Sequence, residues 1–469
     1  MPSQVPSQSV PDPTQVERLA AYALRGSFSD LSSDSVSQLP VHILDCVSCC
    51  LSALGAAPVD AVHDQVLDFG AGNQVSLIGG GSSNPVYGAF WHTALVRYVD
   101  FMDNFLAPTE TCHTGDNFGG VLTAAEYADA SGRDFMFALA LAYTVQSRFV
   151  DHANFMTRGF DHTTQLAFSV PAAAGRLLGM SEQQIAHGVA IAATSDASFA
   201  NVRAKPLSQW KGLASAQSTL AAMNALFLAR RGVQGPLAII EGPNGIDHLL
   251  GMKIDIDWEH EGYEGIVTSS IKKYNSEIHT QSAIHAVVEL VAKEHIDPGQ
   301  VTSIEADVTQ ITYNFTGGGL YGSAAQQITT KEQADHSLPY LLAVALLDGN
   351  VMPAQFVPER INRADVQQLL LKVTARPDPT FTQGYPQHMP ARVVVKLQDG
   401  RSLSHEVQDY PGLSSRPFAW QDSVDKFDQL VDGRVDPALA SDIKDAVKSL
   451  ETIQVKDLTQ LLSKVSYPT

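Results

Sequence analysis

Residues 97–122, RYVDFMDNFLAPTETCHTGDNFGGVL, bring two carboxylates (Asp100, Asp103), a histidine (His113) and a glycine pair (Gly119, Gly120) into one short stretch. The flanks, YGAFWHTALVRYVDF before and VLTAAEYADASG after, are apolar and helix-like. The middle, LAPTETCHTGDN, collects Pro, Thr, Gly, Asp and Asn and reads as a loop. Carboxylates and an imidazole on a loop between buried helices suit proton transfer. The plain competing reading is a helix–loop–helix corner with a solvated histidine.

Four further clusters carry reactive side chains. RGFDHTTQ (158–165) sets His162 just before a helix whose cap is Thr163 or Thr164. NVRAKPLSQWKG (201–212) gathers Arg203, Lys205 and Lys211 around Trp210, as an anion pocket or as a solvated basic turn. IKKYNSEIHTQSA (271–283) offers Lys272, Lys273, Tyr274, His279 and Gln281. ADHSLPYLLAVALLDG (334–349) puts Asp335 and His336 at the start of an apolar helix. Any one of these can equally be a structural cap.

The elements that must hold these groups are mostly helices. A chain of 469 residues exceeds one simple core, so two domains are expected. Thr14 with Glu17 forms a capping box for the first helix, which Gly26 closes. Helical periodicity continues over 34–55 and 59–70, broken at Pro40 and Pro58, and then over 84–101, 118–131, 134–151, 163–179, 181–195 and 211–230. VSLIGG (75–80) is a short strand or buried turn. After about residue 265 the pattern becomes mixed. VTSIEADVTQIT (301–312) alternates like a strand, and MPARVVVKLQDGRSLSHEVQDY reads as a hairpin with Asp399-Gly400 at its turn. Helices return over 417–431, 436–450 and 455–465, and this tail could pack on either domain.

Composition narrows the function. The net charge of -19 argues against a nucleic-acid partner and against an anionic membrane surface. An acidic chain can still bind an anion by concentrating its few cations in one pocket. No apolar run suggests a membrane span, and the Pro/Ser-rich start shows no secretory pattern and lacks a typical mitochondrial one. A cytoplasmic or mitochondrial location is therefore expected. Cys46, Cys49, Cys50 and Cys112 lack the spacing of an iron–sulfur or disulfide framework and read as packed free thiols.

Together, the central stretch, the WKG turn (210–212), EIHTQSA (277–283) and ADHSLPYLLAVALLDG resemble the MmgE/PrpD family. That family includes 2-methylcitrate dehydratase, cis-aconitate decarboxylase and iminodisuccinate epimerase. The resemblance runs from about residue 14 to 465 and takes in IIEGPNGI (239–246) and YPGLSSRPFAW (410–420). It implies a mainly α fold, with a large all-helical domain plus a smaller α+β lid domain. The corresponding spans are a disordered lead-in at 1–13, the helical domain at 14–265, the lid at 266–410, and C-terminal helices at 411–469 returning to the first domain. It also implies a homodimer and an active site between the domains with no metal and no cofactor.

DFMDNFLAPTETCHTGDNFGG is similar to the D-F-N-D-T-x-L…H-P-S-D-N pattern of the methylcitrate dehydratase branch, and departs from it at Met102, Asn104 and Thr114. Asn275 stands where a proline often follows the aromatic residue. The resemblance makes Asp103, His113 and His162 the acid–base candidates, with Lys272 in the catalytic set. Arg203, Lys205 and Lys211 are candidate carboxylate clamps, and His279, Tyr321 and His336 candidate substrate contacts. It implies a lyase dehydrating 2-methylcitrate or a related 2-alkylcitrate or tricarboxylate. A cis-aconitate-type decarboxylase, an epimerase of a dicarboxylate and a catalytically silent binding protein are the alternatives.

Overall fold

The computed structural model of the chain describes residues 12–204, 207–319 and 328–467. It is mainly α, with small sheets. The first helix, Gln15–Arg25, starts at Thr14, whose side chain accepts from the Glu17 backbone while Glu17 reaches back. Ser33–Ala53 runs through Pro40, where the sequence predicts a break. Leu39, Val41, Ile43 and Leu44 are buried around that proline, so tertiary packing outweighs the one lost backbone hydrogen bond. This helix is long and apolar enough to cross a membrane, but most of it lies inside the protein.

Two large apolar cores organise the molecule. The first joins Val16 through Ile266 with Phe427 through Val465. The second spans Tyr274 to Val407. In it, helices Gln281–Glu294 and Leu338–Asp348 pack on a four-stranded sheet. Its strand order is Val373–Pro377, Val301–Val308, Ala391–Leu397 and Ser402–Val407. The first pair is parallel and the others antiparallel. Gly400 takes φ +88° at the hairpin turn, as Asp-Gly requires. Strand 373–377 carries only a short alternation, and its partner lies far away in sequence, so the sequence reading misses it.

The chain passes between the cores twice, and the two passages lie side by side. Ile271 donates its backbone N–H to Gly412 at 2.8 Å. Gly412 has φ +113°, and a Cβ there would sit 2.2 Å from the Ile271 carbonyl oxygen. The central loop is more ordered than its composition suggests. Asn104–Leu106 pairs with Thr111–Cys112 as a small hairpin, and Ser269–Ser270 adds a third strand on its other side. Short, turn-rich segments give no period-2 signal, so this sheet is decided by long-range pairing. The helix that follows, Asn117–Tyr127, approaches Pro85–Tyr98 closely at Gly119, where a Cβ would lie 2.3 Å from the Thr93 backbone nitrogen.

Candidate active site

A cavity of about 830 Å³ opens beside this small sheet. Asp100 lines it from the end of helix Pro85–Tyr98, in a left-handed backbone conformation (φ +58°) that turns the chain sharply into the hairpin. One carboxylate oxygen accepts from Arg97 at 2.7 Å and from Lys272 Nζ at 3.1 Å. The other accepts from Lys211 Nζ at 2.8 Å. Lys272 also donates to the Asp100 carbonyl at 2.8 Å. Burial pushes the Asp100 carboxyl up, but Lys211, Lys272 and Arg97 outweigh it and hold it well below the usual range. In return, burial lowers Lys211 to about 8 and lowers Lys272, with Asp100 opposing both shifts.

His113 Nε2 stands 3.8 Å from the same carboxylate. The Asn104 amide nitrogen donates to Nδ1 at 3.0 Å, which leaves the ring hydrogen on Nε2. Burial and Arg97 keep this imidazole neutral at physiological pH. The Asn104 carbonyl oxygen has no partner among the described residues. Turned over, the amide would accept from Nδ1–H and leave Nε2 as a base. His162 lies beside His113, ring centroids 5.0 Å apart. Its Nε2 accepts from Arg203 at 2.9 Å, and its Nδ1 is enclosed. Burial lowers His162 to about 3. Arg203 is held by two bonds to Asp161, at 2.7 and 3.0 Å. Asp161 also caps the turn His162–Gln165, in place of the threonines expected from sequence.

The chain after residue 270 contributes Lys272, Glu277, His279, His336 and Tyr385 to the same cavity. Glu277 accepts from His279 Nδ1 at 2.6 Å, and His279 Nε2 lies 3.0 Å from the Tyr385 hydroxyl. His336 Nδ1 lies 2.6 Å from Asp335, whose other oxygen accepts from Lys331 at 2.9 Å. Asp100, Asp335 and His336 bring three donor atoms within 4.8 Å, a spacing that a metal ion could use. The Lys211 ammonium sits among them, 2.8 Å from Asp100, 3.9 Å from Asp335 and 3.3 Å from His336 Nδ1, so a cation already satisfies the set. The four cysteines are free and buried, with burial raising each thiol.

The cavity wall thus assembles His113, His162, Lys272, Arg203, Lys211, His279 and His336 from the sequence candidates. Lys205 and Tyr321 lie outside the described residues. Asp103 is absent from the wall and belongs to the interior. Its carboxylate accepts from His42 Nδ1 at 2.5 Å, Tyr143 at 2.8 Å, Thr114 at 3.0 Å and the Gly115 backbone at 2.6 Å. Asp100 takes the cavity position because the chain reverses at that residue. Sequence reasoning also passed over Glu277 and Tyr385. Glu277 had a signal, two residues before a histidine, whereas Tyr385 sits in an unremarkable turn.

Two further buried groups were not legible. Glu110 lines the cavity, bonded by Gln165 at 2.9 Å, and burial raises it to about 8. Lys426, on helix Trp420–Val431, donates to the carbonyls of Phe101 at 2.8 Å and Lys272 at 2.9 Å, and pairs with Asp45 at 2.5 Å. It ties the backbones that carry Asp100 and Lys272 together.

This architecture, two cores meeting at a cation-lined cavity, coincides with the family comparison. Residues 17–259 match the MmgE/PrpD N-terminal domain and residues 274–452 the MmgE/PrpD C-terminal domain. The chain belongs to the MmgE/PrpD family. It is 25% identical over 446 residues to a 2-methylcitrate dehydratase of Cupriavidus necator, covering 88% of each chain. A 2-methylcitrate dehydratase of Escherichia coli K12 is 24% identical over 355 residues, 70% of this chain and 71% of that protein. The human cis-aconitate decarboxylase is 25% identical over 411 residues, 82% of this chain and 80% of that protein.

Proposed function

We propose that this protein is a lyase that removes water from a tricarboxylate of the 2-methylcitrate type, using its own side chains without a metal or cofactor. The observation that supports this reading best is the buried cation wall. Lys211 and Lys272 reach the wall beside Asp100, Arg203 stands at the same wall, and Arg97 and Lys331 lie buried behind them, so cations are concentrated where substrate carboxylates would bind. In a chain of net charge -19 such a concentration of cations has a purpose, and it stabilises the charge that grows on a carboxylate as the neighbouring carbon loses its proton. His113 takes that proton when the Asn104 oxygen holds its Nδ1–H, and Asp100 beside Nε2 favours the imidazolium that results. The similarity to the two named dehydratases supports water as the leaving group.

A cis-aconitate-type decarboxylase is the second reading, favoured by the human relative. NMR of the protein with 2-methylcitrate, citrate and cis-aconitate separates them. The proposal expects a new olefinic product from 2-methylcitrate, unaffected by prolonged chelation. Carbon dioxide release from cis-aconitate in its place would establish the second reading. Activity that is lost on chelation and restored by iron would overturn the metal-free chemistry. Sedimentation tests the homodimer that belongs to the same proposal.

A further inference from the structure

The geometry points to Glu277, His279 and Tyr385 as a proton relay that protonates the leaving hydroxyl, with Tyr385 the catalytic residue that touches it. This rests on the dehydratase reading above. The three groups form one chain of hydrogen bonds, Glu277 to His279 Nδ1 at 2.6 Å and His279 Nε2 to the Tyr385 hydroxyl at 3.0 Å. All three line the cavity. They come from the part of the chain after residue 270, whereas His113 comes from the central hairpin, so acid and base reach the one cavity from segments far apart in sequence.

The chain is held in place at Glu277 and at His279. Glu277 also accepts from the His279 backbone at 2.9 Å and caps the turn Ile278–Thr280. The His279 ring lies flat against Phe315, 14° from parallel at 5.7 Å. Because Glu277 occupies Nδ1, only Nε2 can exchange a proton with Tyr385. Burial would raise Glu277, but His279 outweighs it, so the group stays a carboxylate. Burial pushes the Tyr385 phenol upward, so it remains an O–H donor.

The elimination balances as follows. The carbon-bound proton goes to His113, and its electron pair becomes the new C=C bond. The C–O pair leaves with oxygen, which takes the Tyr385 proton and departs as water. In this relay His279 enters the step as the imidazolium paired with the Glu277 carboxylate; the Tyr385 oxygen takes its Nε2 proton, and the Nδ1 proton stays on the ring, donated to Glu277. Solvent then restores both histidines. A tertiary hydroxide is a poor leaving group, and a positioned acid is typically worth about 10²–10⁴-fold.

The test is Tyr385→Phe, assayed on 2-methylcitrate and on its analogue with fluorine in place of the hydroxyl. Fluoride leaves without needing a full proton. Turnover of 2-methylcitrate should fall about 10²-fold or more with KM little changed, while fluoride release stays near wild type. Glu277→Gln should repeat the pattern more weakly, and melting temperatures on the same samples exclude misfolding. Equal losses on both substrates, or no loss on either, would overturn the relay alone. If the wild type dehydrates neither 2-methylcitrate nor citrate, the dehydratase reading falls and the relay with it.

Discussion

Asp100 and Asp103 leave the same helix end three residues apart, yet their surroundings share almost nothing. Asp100 meets Arg97, Lys211 and Lys272 at the wall of a cavity. Asp103 meets an imidazole, a phenol, a hydroxyl and a backbone amide in the interior. Both are buried carboxylates, and the difference lies in the partners. Cations that outnumber the carboxylates leave charge to share with an incoming anion. Donors that match one carboxylate leave none over, and such a network fixes structure instead. Reading two aspartates of one motif as one kind of residue therefore fails.

The largest effect expected from breaking this contrast is at Asp100. Asp100→Asn should lower kcat/KM by about 10³-fold, because the cations lose the charge that orders them and Lys211 shifts further down. Steady-state kinetics with a melting curve checks this; wild-type turnover would show that the cage is only structural. Asp103→Asn should instead act on the fold. One of its carboxylate oxygens becomes an amide facing donors, costing about 2–4 kcal/mol, with activity falling only as far as the folded fraction does. A folded, fully stable but inactive Asp103→Asn would return this residue to the chemistry.

Lys211 sharpens the comparison through pH. Its amine is lowered to about 8, so its charge is present below that pH and lost above it. KM for a tricarboxylate should rise roughly tenfold between pH 7 and pH 9, and Lys211→Arg, charged throughout, should flatten the rise. An identical profile in both proteins would place the anion elsewhere. Glu110 has the opposite linkage. Its folded value is raised to about 8 by burial, above the unfolded value, so the folded state binds the extra proton and stability falls as pH rises from about 4.5 through 8. Glu110→Gln should remove that component of the slope, read as melting temperature against pH. The smallest effect is expected from Tyr143→Phe, which removes one of the four Asp103 donors and should cost about 1 kcal/mol without changing kcat.

Much of the helical architecture was legible because its signals are local. The capping box at Thr14 and the Asp399-Gly400 turn sit where side-chain chemistry next to the backbone demands them. Pro40 was misleading, since a local penalty lost to packing on both sides of it. The hairpin at 104–112 was hidden because its third strand comes from residues 269–270.

The helical periodicity, the motif order that carries the MmgE/PrpD resemblance, and the chemical types available (carboxylates, histidines and a few cations in an acidic chain) are written in the order of residues. Which of them meet is set by long-range folding. The left-handed turn at Asp100 directs that carboxylate to Lys211 and Lys272, 111 and 172 residues away, and sends Asp103 to His42 and Tyr143. Contacts of that range depend on how two cores close on each other, and no local pattern of side chains encodes the closure.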